Sequence, residues 1–347
     1  MTWLQIVVLS ISFKGRFRIV INAAIVGLGR WGQRLVSSVQ GEGVPASTLL
    51  RFTRGVAPRP AKSEDFARAH GLAVATEYAE VLADPGIAAV VLATPHTQHA
   101  EQAIAAAKAG KAVFVDKPFT LTRASAEAVV AACGKAGVTL AVGQNRRFLP
   151  SAIELKRMID SGELGTVLHA EGNFSSGSGL RYPAGGWRTR REEAPGGGMT
   201  ALGIHALDML INLCGPVTEV DARSQRRVMQ ADVDDTTAML LAFRSGAIGT
   251  LASVLASASC FRIQVFGSKG WGELRGFDTL VVAGPDGAPV ERKMPPPDIE
   301  RAELEAFAAT MAGTGTFPVA AEEAINAVSV LEAIPQSAAR RAPVAIA

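Results

Sequence analysis

Cysteine is scarce in this chain: Cys133, Cys214 and Cys260 are an odd number, far apart, with no Cys-x-x-Cys or Cys/His cluster around them. That pattern excludes a disulfide framework and a structural zinc site, and a reducing compartment is expected. An excess of one charge is also missing, since 35 Lys and Arg stand against 32 Asp and Glu. A net charge of +3 on 347 residues argues against nucleic acid or anionic lipid as the main partner. No stretch reaches the roughly 18 uninterrupted apolar residues that a membrane span requires. A cytoplasmic protein acting on a small molecule is therefore expected, with no membrane partner. Internal repeats and low-complexity tracts are absent as well.

What is present is ordinary globular composition, 48% hydrophobic and 19% charged, over a length that exceeds one core and implies two domains. The first eighteen residues stand apart. An apolar run from Trp3 to Phe13 is followed by Lys14, Arg16 and Arg18, the reverse of the charge order in a secretory signal, so residues 1–18 read as an accessory extension. From Ile19, short β-branched runs alternate with Ala-rich helical stretches, which is how βαβ units with a buried parallel sheet read. Strands are expected at Ile19–Val26, Ser47–Thr53, Ala88–Ala93, Ala112–Asp116 and Val138–Val142. A doubly wound Rossmann domain over 19–143 follows. Residues 144–347 read as a second, α+β domain for substrate binding and oligomerisation. Its longer alternating strands, Thr236–Phe243 and Ala247–Ala256, imply a large, open and mostly antiparallel sheet, expected to be apolar on both faces and covered by a second subunit. The polar, Gly-rich stretch Ser175–Gly198 is too long for an idle connection and is a candidate active-site loop. Two Ala/Glu-rich helices are expected at Asp298–Ala312 and Ala321–Ile334.

Gly27-Leu28-Gly29-Arg30-Trp31-Gly32 is G-x-G-x-x-G directly after a strand and directly before a helix. Gly27 permits the tight turn, Gly29 lets the backbone approach a pyrophosphate, and Gly32 allows close helix-to-strand packing. The helix N-terminus supplies N–H donors to the anion. An NAD enzyme usually places an acid at the end of the second strand. Here that position reads Thr53-Arg54, with Arg59 and Lys62 nearby, and a guanidinium pairs with a 2′-phosphate through its planar fork. NADP(H) is therefore the expected cofactor, NAD(H) the second choice; a solvated Arg54 in a loop is the alternative.

The next strand ends carry Thr94-Pro95-His96-Thr97-Gln98-His99 and Asp116-Lys117-Pro118, with Ala109-Gly110-Lys111 between them. With these motifs the chain resembles the Gfo/Idh/MocA family of glucose-fructose oxidoreductases, inositol dehydrogenases and relatives, whose pattern is T-P-N-x-x-H, A-G-K, E-K-P. The similarity continues through Gly143-Gln144-Asn145-Arg146-Arg147-Phe148, Gly186-Trp187-Arg188, Gly196-Gly197-Gly198 and Gly203-Ile204-His205-Ala206-Leu207-Asp208.

The resemblance implies that Lys117 sits beside the nicotinamide and the reacting carbon. Its place at the carboxyl end of a parallel strand agrees, because open α/β sheets bind ligands there. Desolvation would lower its pKa and let it take a proton from a hydroxyl. Asp116 stands where the family usually has Glu, and a cis bond before Pro118 is implied. Thr94, Pro95 and His96 are expected along the cofactor, with His96 in place of the more frequent Asn, while His99 either joins them or caps the following helix. Asn145, Trp187 and Arg188 are expected on the cofactor side. Arg146, Met199, Trp187 and Arg188 are expected to line the pocket, the two arginines offering charge to an acidic substrate or, alternatively, forming structural ion pairs.

A helix starting at Gly198 is expected to put residues four apart on one face. In polyol dehydrogenases of the family an Asp stands four residues before the His, but here that position is Ala201, which leaves Lys117 and His205 as the proton-handling pair. Asp208 reads as a structural partner. The resemblance implies an NADP(H)-dependent oxidoreductase acting on a secondary alcohol or carbonyl of a sugar, polyol, cyclitol or dihydrodiol, assembled as a homodimer or homotetramer. The alternative is a cofactor-binding sensor that kept the fold and lost turnover.

Overall fold

The computed structural model describes residues 20–182 and 185–346. The expected extension, residues 1–18, and Ile19 of the first expected strand lie outside the described residues.

The first unit alternates strand and helix. In order it runs β1 (Ile21–Val26), α1 (Arg30–Gln40), β2 (Leu50–Val56), α2 (Glu64–Ala69), β3 (Ala73–Ala75), α3 (Tyr78–Ala83), β4 (Ala89–Leu92), α4 (His99–Lys108), β5 (Ala112–Asp116), α5 (Arg123–Ala136) and β6 (Leu140–Gly143). All five pairings are parallel, in the order β3-β2-β1-β4-β5-β6. Every residue of β4 is buried, as the apolar run Ala-Val-Val-Leu requires when helices cover both sheet faces. The strand order reverses between β1 and β4, and ligands bind at that switch point, beyond the carboxyl ends.

The second unit runs α6 (Pro150–Asp160), β7 (Val167–Ser175), α7 (Ile204–Cys214), β8 (Val217–Gln225), β9 (Thr236–Phe243), β10 (Ile248–Val254), β11 (Cys260–Gly267), β12 (Gly270–Arg275), β13 (Thr279–Ala283), β14 (Val290–Lys293), α8 (Ile299–Met311), α9 (Ala321–Arg340) and β15 (Val344–Ala345). Its nine strands form one sheet, antiparallel except between β7 and β10. Helix α7 is buried almost all round, packed between the inner face of this sheet and α9. The C-terminal helices also reach back: Leu304 and Phe307 of α8 and Val328 of α9 join the apolar core of the first sheet.

Four expectations need correction. Strand β2 extends to Val56, because Gly55 does not end it; a Cβ there would come within 2.7 Å of Leu28 Cδ1, so the glycine allows the fingerprint loop to pack on the strand. The second-unit helix begins at Ile204 and not Gly198, since Met199–Gly203 forms a π-helical turn. Helix α9 continues through Pro335, with Ile334 and Ser337 buried and the Ser337 hydroxyl accepting from Ala222 N and donating to Ala342 O. Tertiary packing there outweighs the roughly 3 kcal/mol cost of an interior proline. Finally, the outer face of the large sheet is not apolar. Leu240 and Ile248 are exposed on it, but Glu171, Asp221, Arg223 and Arg262 share it, with Arg262 and Glu171 paired at 2.7 Å.

Candidate active site

The glycine loop sits at the switch point. Gly27 has φ +98°, and a Cβ on it would lie 2.7 Å from the Ala93 carbonyl oxygen, so both its backbone angle and its neighbours demand glycine. Gly32 packs directly on the Gly27 carbonyl, while nothing lies within 4 Å of a Cβ placed on Gly29. The backbone at Gly29 therefore opens at the N-terminus of α1, where unpaired N–H groups attract an anion. A cleft of about 680 Å³ runs from there past Val56, Ala57, Pro58, Arg59, Lys62 and Ser63 on one side and Thr94 and Pro95 on the other, with Trp187 at its edge. The size and open glycine cradle fit a dinucleotide.

Arg54 and Thr53 do not line this cleft. Because β2 runs on to Val56, Arg54 lies within the strand opposite Ala24, near Asp84 at 3.7 Å, and Thr53 is skipped by a register shift. The groups beyond the true strand end are Ala57, Pro58, Arg59 and Lys62. Glu77, an acid in the same lining, is committed to the capping box of α3.

Lys117 leaves the carboxyl end of β5 through a cis bond to Pro118. Its ammonium donates to the Ala201 carbonyl oxygen at 2.9 Å, across the boundary between the two units. Burial pushes the Lys117 ammonium below its ordinary range; Asp116 opposes the shift, and Arg188 and Arg146 add to it. Asp116 is pushed upward by burial, with Lys117 acting against the shift.

Both histidines after β4 are buried. His96 meets the Glu193 carbonyl through Nδ1 at 2.6 Å and packs edge-on against Trp187 at 4.8 Å. His99 does not cap the helix. Its ring sits between the Pro118 carbonyl at 2.9 Å and the Thr94 carbonyl at 3.1 Å, tying the two strand-end loops together. Thr94 is fixed in turn by Gln102, at 2.7 Å.

In the second unit, His205 packs against Phe174 at 5.8 Å, and its Nδ1 is buried with no hydrogen-bond partner. Burial, then Lys117 and Arg146, hold its pKa well below the ordinary value. Arg146 lies over the Phe277 ring at 4.4 Å and the Phe174 ring at 5.8 Å. Arg188 stacks on Trp187 at 4.1 Å and lines a neighbouring cleft of about 290 Å³ with Arg30, Arg181 and Tyr182. Arg30 thus faces the second unit, while the buried Trp31 indole is directed toward the Asp116 carboxylate.

Two further expected site residues are placed elsewhere. Met199 is fully buried in the second core and touches Gly203, because the π turn directs it inward, so it is not a pocket residue. Asn145 donates to Glu300 at 3.0 Å and is absent from the cleft lining. Asp208 makes a bidentate pair with Arg147, at 2.9 and 2.7 Å, and is structural. Sequence reasoning missed Glu303, a buried carboxylate with one unpartnered oxygen that interacts with Asp116, Arg146 and Lys117. Its position on α8, far along the chain, gave no local signal. Among the described residues no group of His, Cys, Asp and Glu could hold a metal ion, and no helix is long and apolar enough to cross a membrane.

Residues 21–144 match the profile of an oxidoreductase family with an NAD-binding Rossmann fold, and residues 152–273 match the GFO/IDH/MocA C-terminal domain. The chain is 37% identical over 157 residues to scyllo-inositol 2-dehydrogenase (NAD(+)) of Bacillus subtilis, covering 44% of each protein. Such matches span about half the length of these curated relatives, 54% and 44% in two cases. The solved aldose-aldose oxidoreductase from Caulobacter crescentus, complexed with glycerol, is similar at TM-score 0.84 and 25% identity, over 94% of this chain and 100% of that one. Levoglucosan dehydrogenase in complex with NADH and levoglucosan shares the fold at TM-score 0.85 and 22% identity, covering 94% of this chain and 100% of the other.

The buried histidines predict a pH dependence of stability. His205 and His96 stay uncharged in the folded protein at neutral pH, both held well below the ordinary value. In the unfolded chain each takes up a proton near pH 6.5, so below that pH the unfolded state binds more protons and stability falls as pH drops. His205→Asn should therefore lose less stability than the parent between pH 7 and pH 5, by up to about 1.4 kcal/mol per pH unit. Urea unfolding across that range measures it; parallel pH profiles would show that His205 protonates in place.

Proposed function

Because the chain belongs to the Gfo/Idh/MocA oxidoreductase family, we propose that it is an NADP(H)-dependent oxidoreductase acting on a secondary alcohol or carbonyl of a sugar, polyol, cyclitol or dihydrodiol. The observation that carries this reading is Lys117, an ammonium with a lowered pKa at the end of β5, next to a dinucleotide-sized cleft and bonded to the second unit. When bound, the nicotinamide supplies the hydride chemistry. The chain supplies position and proton transfer. Lys117 Nζ takes the hydroxyl proton on oxidation or returns it on reduction, and the Ala201 carbonyl aims it. Neutral His205 beside it is a second proton-handling group. The reading in which turnover was lost is supported by Ala201 and weakened by Lys117.

If Lys117 is the proton acceptor, Lys117→Ala should lower kcat by about a hundredfold or more and leave NADP(H) affinity nearly unchanged. Initial rates with NADP⁺ or NAD⁺ against a panel of sugars, polyols, cyclitols and dihydrodiols test this together with fluorescence titration of the cofactor. Tight cofactor binding with no turnover anywhere in the panel would favour the sensor.

The preference for NADP(H) rests on Arg59 and Lys62 and the absence of an acid at Val56–Pro58. Arg59→Ala combined with Lys62→Ala should weaken NADP(H) binding by about 1–3 kcal/mol with little effect on NAD(H). Arg54→Ala should leave the ratio of the two affinities unaltered. Equal losses for both cofactors in the double variant would remove the 2′-phosphate assignment.

We also propose a homodimer or homotetramer joined through the outer face of the large sheet, where Leu240 and Ile248 are exposed among paired charges. Light scattering should give a multiple of the chain mass at micromolar concentration; a monomer would count against it.

A further inference from the structure

Arg146 and Arg147 are neighbours with opposite fates. Arg147 is fully used, bonded to Asp208, Glu323, Asn212 and the Pro318 carbonyl. The Arg146 side chain has no hydrogen bond or ion pair among the described residues, and its Nε is buried. A buried guanidinium nitrogen with no acceptor is costly, and native proteins rarely leave one without a ligand or solvent to meet it. The walls around Arg146 are aromatic: Phe277 at 4.4 Å and Phe174 at 5.8 Å. His205, whose Nδ1 is likewise buried without a partner, packs against the same Phe174 ring at 5.8 Å.

Two residues with orphaned nitrogens thus lie by one phenylalanine ring near Lys117, and the half-buried Arg188 adds a further cation with no hydrogen-bond or ion-pair partner among the described residues. The nearby acids Glu300 and Glu303 act on Arg146, and Asp116 on Arg188, but they offset this charge only in part. Glu300 is engaged by Arg34 at 2.7 Å and by Asn145, and Asp116 and Glu303 are both driven by burial toward their neutral forms. The site has a surplus of positive charge and donors in a setting where a planar acceptor would satisfy the guanidinium fork.

We propose that Arg146 is the carboxylate-binding residue of the substrate site, so that the substrate is a polyhydroxy acid, an aldonate or uronate, oxidised at a secondary alcohol while its carboxylate stays intact. This rests on the oxidoreductase reading and narrows its substrate class. The alcohol carbon loses a hydride to the oxidised nicotinamide cofactor, and the hydroxyl proton passes to Lys117. The products are the keto acid and the reduced cofactor. Arg146 forms no bond to the reacting carbon; it fixes the acid end so that the alcohol falls at Lys117. Arg146 is thus a specificity determinant.

The test compares compounds that differ in one group: D-gluconate against sorbitol, and D-glucuronate against D-glucose, each with the holoenzyme and either cofactor. The expected result is at least tenfold higher kcat/KM for the acid of each pair, carried mainly by KM. Arg146→Gln should erase that ratio, and Arg146→Lys should keep part of it. Isothermal titration of gluconate and sorbitol into the cofactor-loaded protein reads the same preference without turnover and serves if the Gln variant folds poorly. Oxidation of neutral members with no advantage for the acids, or a preference for sorbitol 6-phosphate over gluconate, overturns the carboxylate assignment and leaves the oxidoreductase reading standing. Acid-selective binding without turnover supports the assignment and defeats the oxidoreductase reading; no selectivity in either assay defeats the assignment.

Discussion

The bidentate pair between Arg147 and Asp208 sets the geometry on which the site depends. Both side chains are almost completely inaccessible, at 2% and 1% exposure. Arg147 follows the last strand of the first sheet; Asp208 lies three residues beyond His205 on α7. One bond pair therefore locks the exit of the Rossmann unit to the helix that carries the second unit's site residue. Glu323 on α9 and the Pro318 carbonyl hold the same guanidinium, so three separate chain segments converge on it. Removing one member of such a pair leaves a buried charge uncompensated, at a cost of about 3–5 kcal/mol. With Arg147 pinned in this way, its neighbour Arg146 is left over the rings of Phe174 and Phe277.

The second tie between the units is weaker and more chemical. Lys117 meets the Ala201 carbonyl within the π turn at Met199–Gly203. Such turns tend to occur at functional positions. Gly203 is part of the reason this one forms: a Cβ there would press on the Met199 side chain and on Ser253 Cβ. The lysine is thus oriented by backbone and does not need a carboxylate at position 201.

Much of this arrangement was legible in the sequence, for identifiable reasons. Motifs bound to strand ends were readable because the parallel strands announce themselves as apolar runs and the antiparallel ones as alternations, and β5 of the first kind and β9 of the second lie at the expected residues. Gly27-x-Gly29-x-x-Gly32 could be read because each glycine answers a local backbone demand. What could not be read depends on partners distant in the chain. Gly55 resembles a strand breaker until Leu28 is seen against it. Met199 looks like a lining residue until the π turn directs it into the core. Glu303 lies 186 residues beyond Lys117 and becomes relevant only because α8 folds back onto the first sheet.

The electrostatics of the site then acquire a direction. Burial drives Lys117, His205 and His96 away from their charged forms, and it drives Asp116 and Glu303 the same way. Burial lowers Arg146 and Arg188 as well, but a guanidinium starts so high that it holds its proton at any ordinary pH. The charge that persists as the surroundings dry out is therefore that of Arg146 and Arg188, neither of which has an ion-pair partner among the described residues. A proton moving to or from Lys117 does so in a positive field, which favours the neutral amine before hydride leaves and favours release of the proton afterwards. An anionic ligand would weaken that field and raise the lysine's affinity for the proton, so the charge of the occupant and the basicity of Lys117 are coupled through the same two arginines.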